Sequence, residues 1–121
     1  MMASSAEFPT FTGKDRDLIR QEFMDHSGSA TSIHNGFRIR RWVAGPNKGQ
    51  PKVPVTVGSM LERGLVMIVD PGTGLPQVLF TDAGFQALIE MADDPRAFRP
   101  AGRYISVLAE IDKLRGVLVE E

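Results

Sequence analysis

The sequence predicts an α+β domain in which helices pack on a small antiparallel sheet and a final helix closes the chain. Apolar residues recur at helical spacing in several separate stretches, and between them lie short runs rich in β-branched residues. The stretch "LVMIVDPGTGLPQVLF", residues 65–80, sets two strands on either side of a glycine-proline turn. So short a connection allows only antiparallel pairing. With 121 residues, 42% of them hydrophobic and 24% charged, the chain has the size and composition of one globular domain.

Residues 1–11 read as a flexible N-terminal arm and residues 12–121 as a single domain. Thr12 is placed to cap a first helix, with Asp15 three positions on as a shortened form of the Ser/Thr-x-x-Glu capping box. Leu18, Ile19 and Phe23 share that helix's apolar face, and Gly28 is expected to stop it near His26. Phe37, Ile39 and Arg41 then alternate with Arg38, Arg40 and Trp42, the period of a strand. "GPNKGQPKVP", residues 45–54, holds two glycines and three prolines in ten positions and reads as a loop.

Pro54 suits the first position of a second helix, with Val57, Met60 and Leu61 facing inward and Gly64 at its end. Gly58 inside that helix costs about 1 kcal/mol relative to alanine, which suggests that another backbone comes close there. After the hairpin, Thr81 is the N-cap of a helix carrying Phe85, Leu88, Ile89 and Ala92, stopped by "DDP". The last helix is expected over residues 101–114, with "GVLVEE" as a short tail. No internal repeat or low-complexity segment interrupts this order.

Composition narrows the function. Without cysteine there are no disulfides, thiolate metal sites or cysteine nucleophile, which fits a reducing compartment. The N-terminus has neither the basic start nor the apolar core of a secretory signal. The longest aliphatic run, "LVMIV", is far short of the ~20 residues of a membrane helix. A cytoplasmic protein without membrane contact is the expectation. The net charge of −1 conceals an asymmetry. Residues 28–64 carry six basic residues against one acidic, and residues 65–121 carry five against nine.

One pattern resembles a known family. Met60-Leu61-Glu62-Arg63-Gly64-Leu65-Val66, then a turn, then Thr81-Asp82-Ala83-Gly84 followed by Leu88, is similar to the core of small bacterial winged-helix regulators of the MarR and PadR type. The likeness covers residues 54–91. It departs from the family between Gly45 and Pro54, where many members carry a second helix. The short helix must turn sharply into the hairpin at Gly64, and Gly84 lets the next helix lie close to it.

The resemblance implies a non-enzymatic, DNA-binding transcriptional regulator or accessory factor that contacts double-stranded DNA. Thr56, Ser59 and Arg63 would face the groove from the second helix, with Lys52 at its entrance. Arg38, Arg40, Arg41 and Lys48 would neutralise phosphates. The turn "PGTGLP" has no basic residue, and Arg63 is the one cation on the presumed recognition helix. The alternative is a winged-helix-like module that binds another protein. Tyr104, Val107, Leu108, Ile111 and Leu114 form a stripe that serves either as the seam of a homodimer or as core.

Other chemistry finds no support. "GPNKGQPK" lacks the glycine spacing and the Lys-Ser/Thr pair of a phosphate loop. His26, His34 and Asp25 do not have a recognised metal spacing. Ser27 and Ser32 beside these histidines lack a nucleophile elbow, and the adjacent Asp93 and Asp94 should diverge into solvent. No catalytic residue, metal or cofactor is assigned.

Overall fold

The computed structural model describes residues 9–25 and 32–119. Its elements run α1 (Gly13–Phe23), β1 (Phe37–Arg38), α2 (Val55–Glu62), β2 (Val66–Val69), β3 (Gln77–Phe80), α3 (Asp82–Ala92) and α4 (Ile105–Val119). The chain is α+β, with four helices and a three-stranded antiparallel sheet in the order β1-β3-β2. Val66 stands opposite Phe80, Val69 opposite Gln77, and Phe37 opposite Val78.

The capping chemistry begins α1 and α3 where the sequence places them, whereas Pro54, expected at the first position of α2, is its N-cap and makes no side-chain capping bond. The Thr12 hydroxyl accepts from the Asp15 amide at 3.2 Å, and the Thr12 amide donates to Asp15 Oδ2 at 2.9 Å. Thr81 accepts from the Gly84 amide at 3.1 Å while its hydroxyl donates to the Gly64 carbonyl at 2.6 Å. One threonine thus starts α3 and ties it to the end of α2. Gly64 ends α2 at φ 77°. The Leu65 amide reaches the Met60 carbonyl and the Gly64 amide reaches that of Leu61, the paired bonds of a Schellman turn. Gly84 is obligatory for a different reason: a Cβ there would lie 2.1 Å from the Leu65 carbonyl oxygen. Gly58 does not serve such an approach, because its nearest neighbour would be a Val53 methyl at an ordinary 3.9 Å.

One core joins all the helices to the sheet. Ile19, Phe23, Ile33, Met60, Leu65, Val78, Leu88 and Met91 are buried in it. The Phe23 ring lies 6.2 Å from Phe37 and 5.8 Å from Phe80. Each large side chain so buried contributes ~1.5–3 kcal/mol.

Four expectations are corrected. Phe11 is not part of a loose arm: it is buried, its ring 6.1 Å from Phe80. Helix α1 stops at Phe23, and the chain leaves it so that the Asp25 amide can bond the Arg103 carbonyl at 2.8 Å. Gly28 and His26, the expected stop, lie outside the described residues. The last helix starts at Ile105, after a 3-10 turn at Ala101–Arg103, and runs on to Val119 through most of the supposed tail. Tyr104, Val107 and Ile111 are buried in the chain's own core, with Leu108 and Leu114 packed half-buried against it. The stripe therefore faces inward onto this domain, because α4 packs along α3, and is not an outer seam for a second copy.

Candidate nucleic-acid interface

The segment read as a loop between β1 and α2 is a short ribbon. The Lys52 amide donates to the Arg40 carbonyl at 2.7 Å and the Trp42 amide to the Gln50 carbonyl at 2.9 Å. The Gly49 amide returns to the Trp42 carbonyl at 2.8 Å, so Gly49 and Gln50 together oppose Trp42 as a bulge does. Residues 42–50 are exposed throughout. The prolines did not prevent pairing, because Pro51 bridges Arg41 in a two-stranded edge where a missing amide leaves no gap.

The strand alternation sorts the arginines. Phe37 and Ile39 are buried, while Arg38 and Arg40, which alternate with them, are exposed. Arg41 falls on the inward side of the alternation and is half-buried. Its guanidinium donates to both Asp70 oxygens, at 2.5 and 3.1 Å, and to the carbonyls of Gly74 and Gly49. It clamps the ribbon to the β2–β3 turn. The hydrogen bond to Asp70 raises the Arg41 pKa. The same bond, helped by the Gly72 amide, holds Asp70 below the usual carboxylate range.

Arg63 is also engaged. It donates to Asp15 Oδ2 at 2.6 Å, to the Ser59 hydroxyl at 3.0 Å and to the Thr10 carbonyl at 3.0 Å. Asp15 is 1% exposed, so this pair fastens α2 to the start of α1. Arg63 and Ser59 are thus tied to each other and to α1. Thr56 is half-buried beside Lys14 and Gln21 of α1. The outer face of α2 presents no free cation, contrary to the expectation for Arg63, and Arg41 likewise leaves the expected phosphate set.

What remains is a set of four. Arg38, Arg40, Lys48 and Lys52 are exposed and form no ion pair among the described residues. Arg38, Arg40 and Lys52 border one open groove of about 480 Å³ between α1, β1, the ribbon and the start of α2. Its apolar lining includes Leu18, Trp42, Val53 and Val55. The Lys52 ammonium sits 4.9 Å from the centroid of the Trp42 ring, a cation–π contact. Val55 is 91% exposed at the groove's lip. Glu22 is the one carboxylate in the lining, and burial pushes its pKa up. A second hollow of about 480 Å³ shares Glu22, Phe37 and Arg38.

The residues weighed for other chemistry are placed differently. Asp93 pairs with Arg115 at 2.6 Å, and Asp94 with Arg16 at 3.0 Å, so the two carboxylates diverge. The His34 ring lies 5.4 Å from Phe85. Ser32 donates to Glu110 at 2.6 Å. Among the described residues no three His, Asp or Glu side chains gather as metal ligands, and no helix is long and apolar enough to cross a membrane. No protein-family model, curated protein or solved structure matches this chain.

Sequence reasoning missed the Asp15–Arg63 pair and the groove. Asp15 was legible as a capping residue, but its second bond needs α2 beside α1, 48 positions away. The groove was foreshadowed only by "RRW" and "PKVPV", whose apolar and cationic residues converge once the ribbon folds back.

Proposed function

We propose that this chain is a winged-helix-type DNA-binding protein, a transcriptional regulator or accessory factor that grips duplex DNA mainly through its phosphates. The observation that carries the reading is the exposed set Arg38, Arg40, Lys48 and Lys52 on one strand and one ribbon, none of them held in an ion pair among the described residues. By contrast Arg16, Arg20, Arg41, Arg63 and Arg115 are held in ion pairs. The succession α1-β1-α2-β2-β3 with a β1-β3-β2 sheet supports the winged-helix assignment. With Arg63 engaged, base-edge reading from α2 is weak, so affinity depends on charge more than on sequence.

A labelled duplex of random sequence, titrated with protein at low salt and followed by anisotropy, tests this. Saturable binding that weakens steeply with salt is expected. Flat anisotropy at low salt would eliminate the DNA reading and favour a protein-binding module. That second reading draws on Val55, Val53 and Trp42, apolar groups exposed around the groove, and on the turn at residues 71–76, which has no basic residue.

A further inference from the structure

We infer that the groove beside the ribbon receives an unpaired nucleobase, stacked on Trp42, so that the preferred ligand is nucleic acid with a single-stranded stretch. This rests on the nucleic-acid reading above and specifies the ligand's state. Duplex phosphates alone would be served by cations on a convex surface. Here the cations Arg38, Arg40 and Lys52 rim a concave, apolar-lined space of about 480 Å³, ample for one nucleotide. An exposed indole stands in its wall, the only tryptophan of the chain, 39% exposed.

Aromatic faces bordered by backbone-neutralising cations are what single strands need. A base stacked on an aromatic ring contributes ~1–3 kcal/mol with little regard to sequence. The Lys52 ammonium lies over the Trp42 ring, 4.9 Å from its centroid. Within a paired duplex the bases are stacked on each other and their faces are closed to Trp42. The occupant matches the site in charge: three cations against the single carboxylate of Glu22 suit an anion.

Because Trp42 is the only tryptophan, its own fluorescence reports the contact. The full chain is titrated at low salt with a mixed-sequence 15-nucleotide single strand and, separately, with the matching blunt duplex. Stacking predicts strong quenching by the single strand and tighter binding of it than of the duplex. Trp42→Leu, followed by anisotropy of a labelled strand, should weaken single-strand binding about 5- to 150-fold, the range that the stacking contribution implies, and leave duplex binding within twofold. Trp42 is exposed, and a thermal melt of the variant verifies that it folds. Duplex binding without quenching, with the single strand weaker, would overturn the inference while the duplex reading stands. Quenching by the single strand with no duplex binding would uphold the inference and remove the duplex reading. Loss of both would remove the two together.

Discussion

At the residue scale, the chain divides its arginines between those held in ion pairs and those left exposed, the ones that the proposed reading assigns to a ligand. Arg63 and Arg40 look alike in sequence and differ in their neighbours. Arg63→Ala leaves the buried Asp15 carboxylate without its cation. It should cost about 3 kcal/mol in a denaturant titration, the low end for a broken buried pair, because Arg63 itself is partly open to water. DNA affinity should hardly change. Arg40→Ala should do the reverse, leaving stability within about 0.5 kcal/mol and weakening DNA binding. Glu22→Gln removes the groove's negative charge. It should raise single-strand affinity about two- to fivefold at neutral pH. In the parent protein the same gain should appear as pH falls through the raised pKa of Glu22, where Arg38, Arg40 and Lys52 are the charges that share its groove. A binding series at falling pH, flat in the variant and rising in the parent, checks this.

At the element scale, the joints between elements are where sequence reading succeeded and the ribbon is where it stopped. Gly64 and Gly84 announced themselves, since a helix running straight into a strand needs a left-handed residue and a helix lying on a hairpin needs a missing side chain. The two helical glycines Gly84 and Gly58 should respond oppositely to alanine. Gly84→Ala drives a methyl into the Leu65 carbonyl and should cost about 3 kcal/mol. Gly58→Ala meets only a Val53 methyl at an ordinary contact distance and should stabilise by up to about 1 kcal/mol, both read as shifts in a thermal or denaturant midpoint. The ribbon was hidden because its glycines and prolines mask the short-range pairing of Arg40 with Lys52 and Trp42 with Gln50, and its anchor, Arg41 on Asp70, lies 29 positions away. The folded Asp70 pKa is depressed. The stabilisation from this clamp is therefore complete above the unfolded carboxylate pKa of about 3.9 and is lost as pH falls through the lower folded value. Amide exchange at Trp42 and Gly49 should stay protected to about pH 4 and rise below it in excess of the intrinsic rate.

At the scale of the whole molecule, the α+β class, element order and antiparallel hairpin were legible in the sequence. The periods and turn residues that encode them are local. The fate of the apolar stripe on α4 was not, because a seam and a core face have the same spacing. Tyr104, Val107 and Ile111 turn out to close the domain against α3 and the rest of the core. Ile111→Ala should accordingly cost about 2–5 kcal/mol in a denaturant titration without changing the oligomeric state seen by light scattering. The charge asymmetry of the sequence also becomes spatial. Three cations of the basic middle, Arg38, Arg40 and Lys52, border one groove, and acidic residues of the second half serve as anchors, as Asp70, Asp93 and Asp94 do.

The claim on which the account turns is that four unpaired cations meet phosphate while two paired ones hold the fold. The affinity for duplex DNA, measured against the logarithm of salt concentration, tests it most directly. Four phosphate contacts predict a slope of about −3.6 for the parent protein. The slope should flatten by about 1.8 in Arg38→Ala/Arg40→Ala and stay unchanged in Arg63→Ala. A slope near zero in the parent, or an equal loss in both variants, would contradict it.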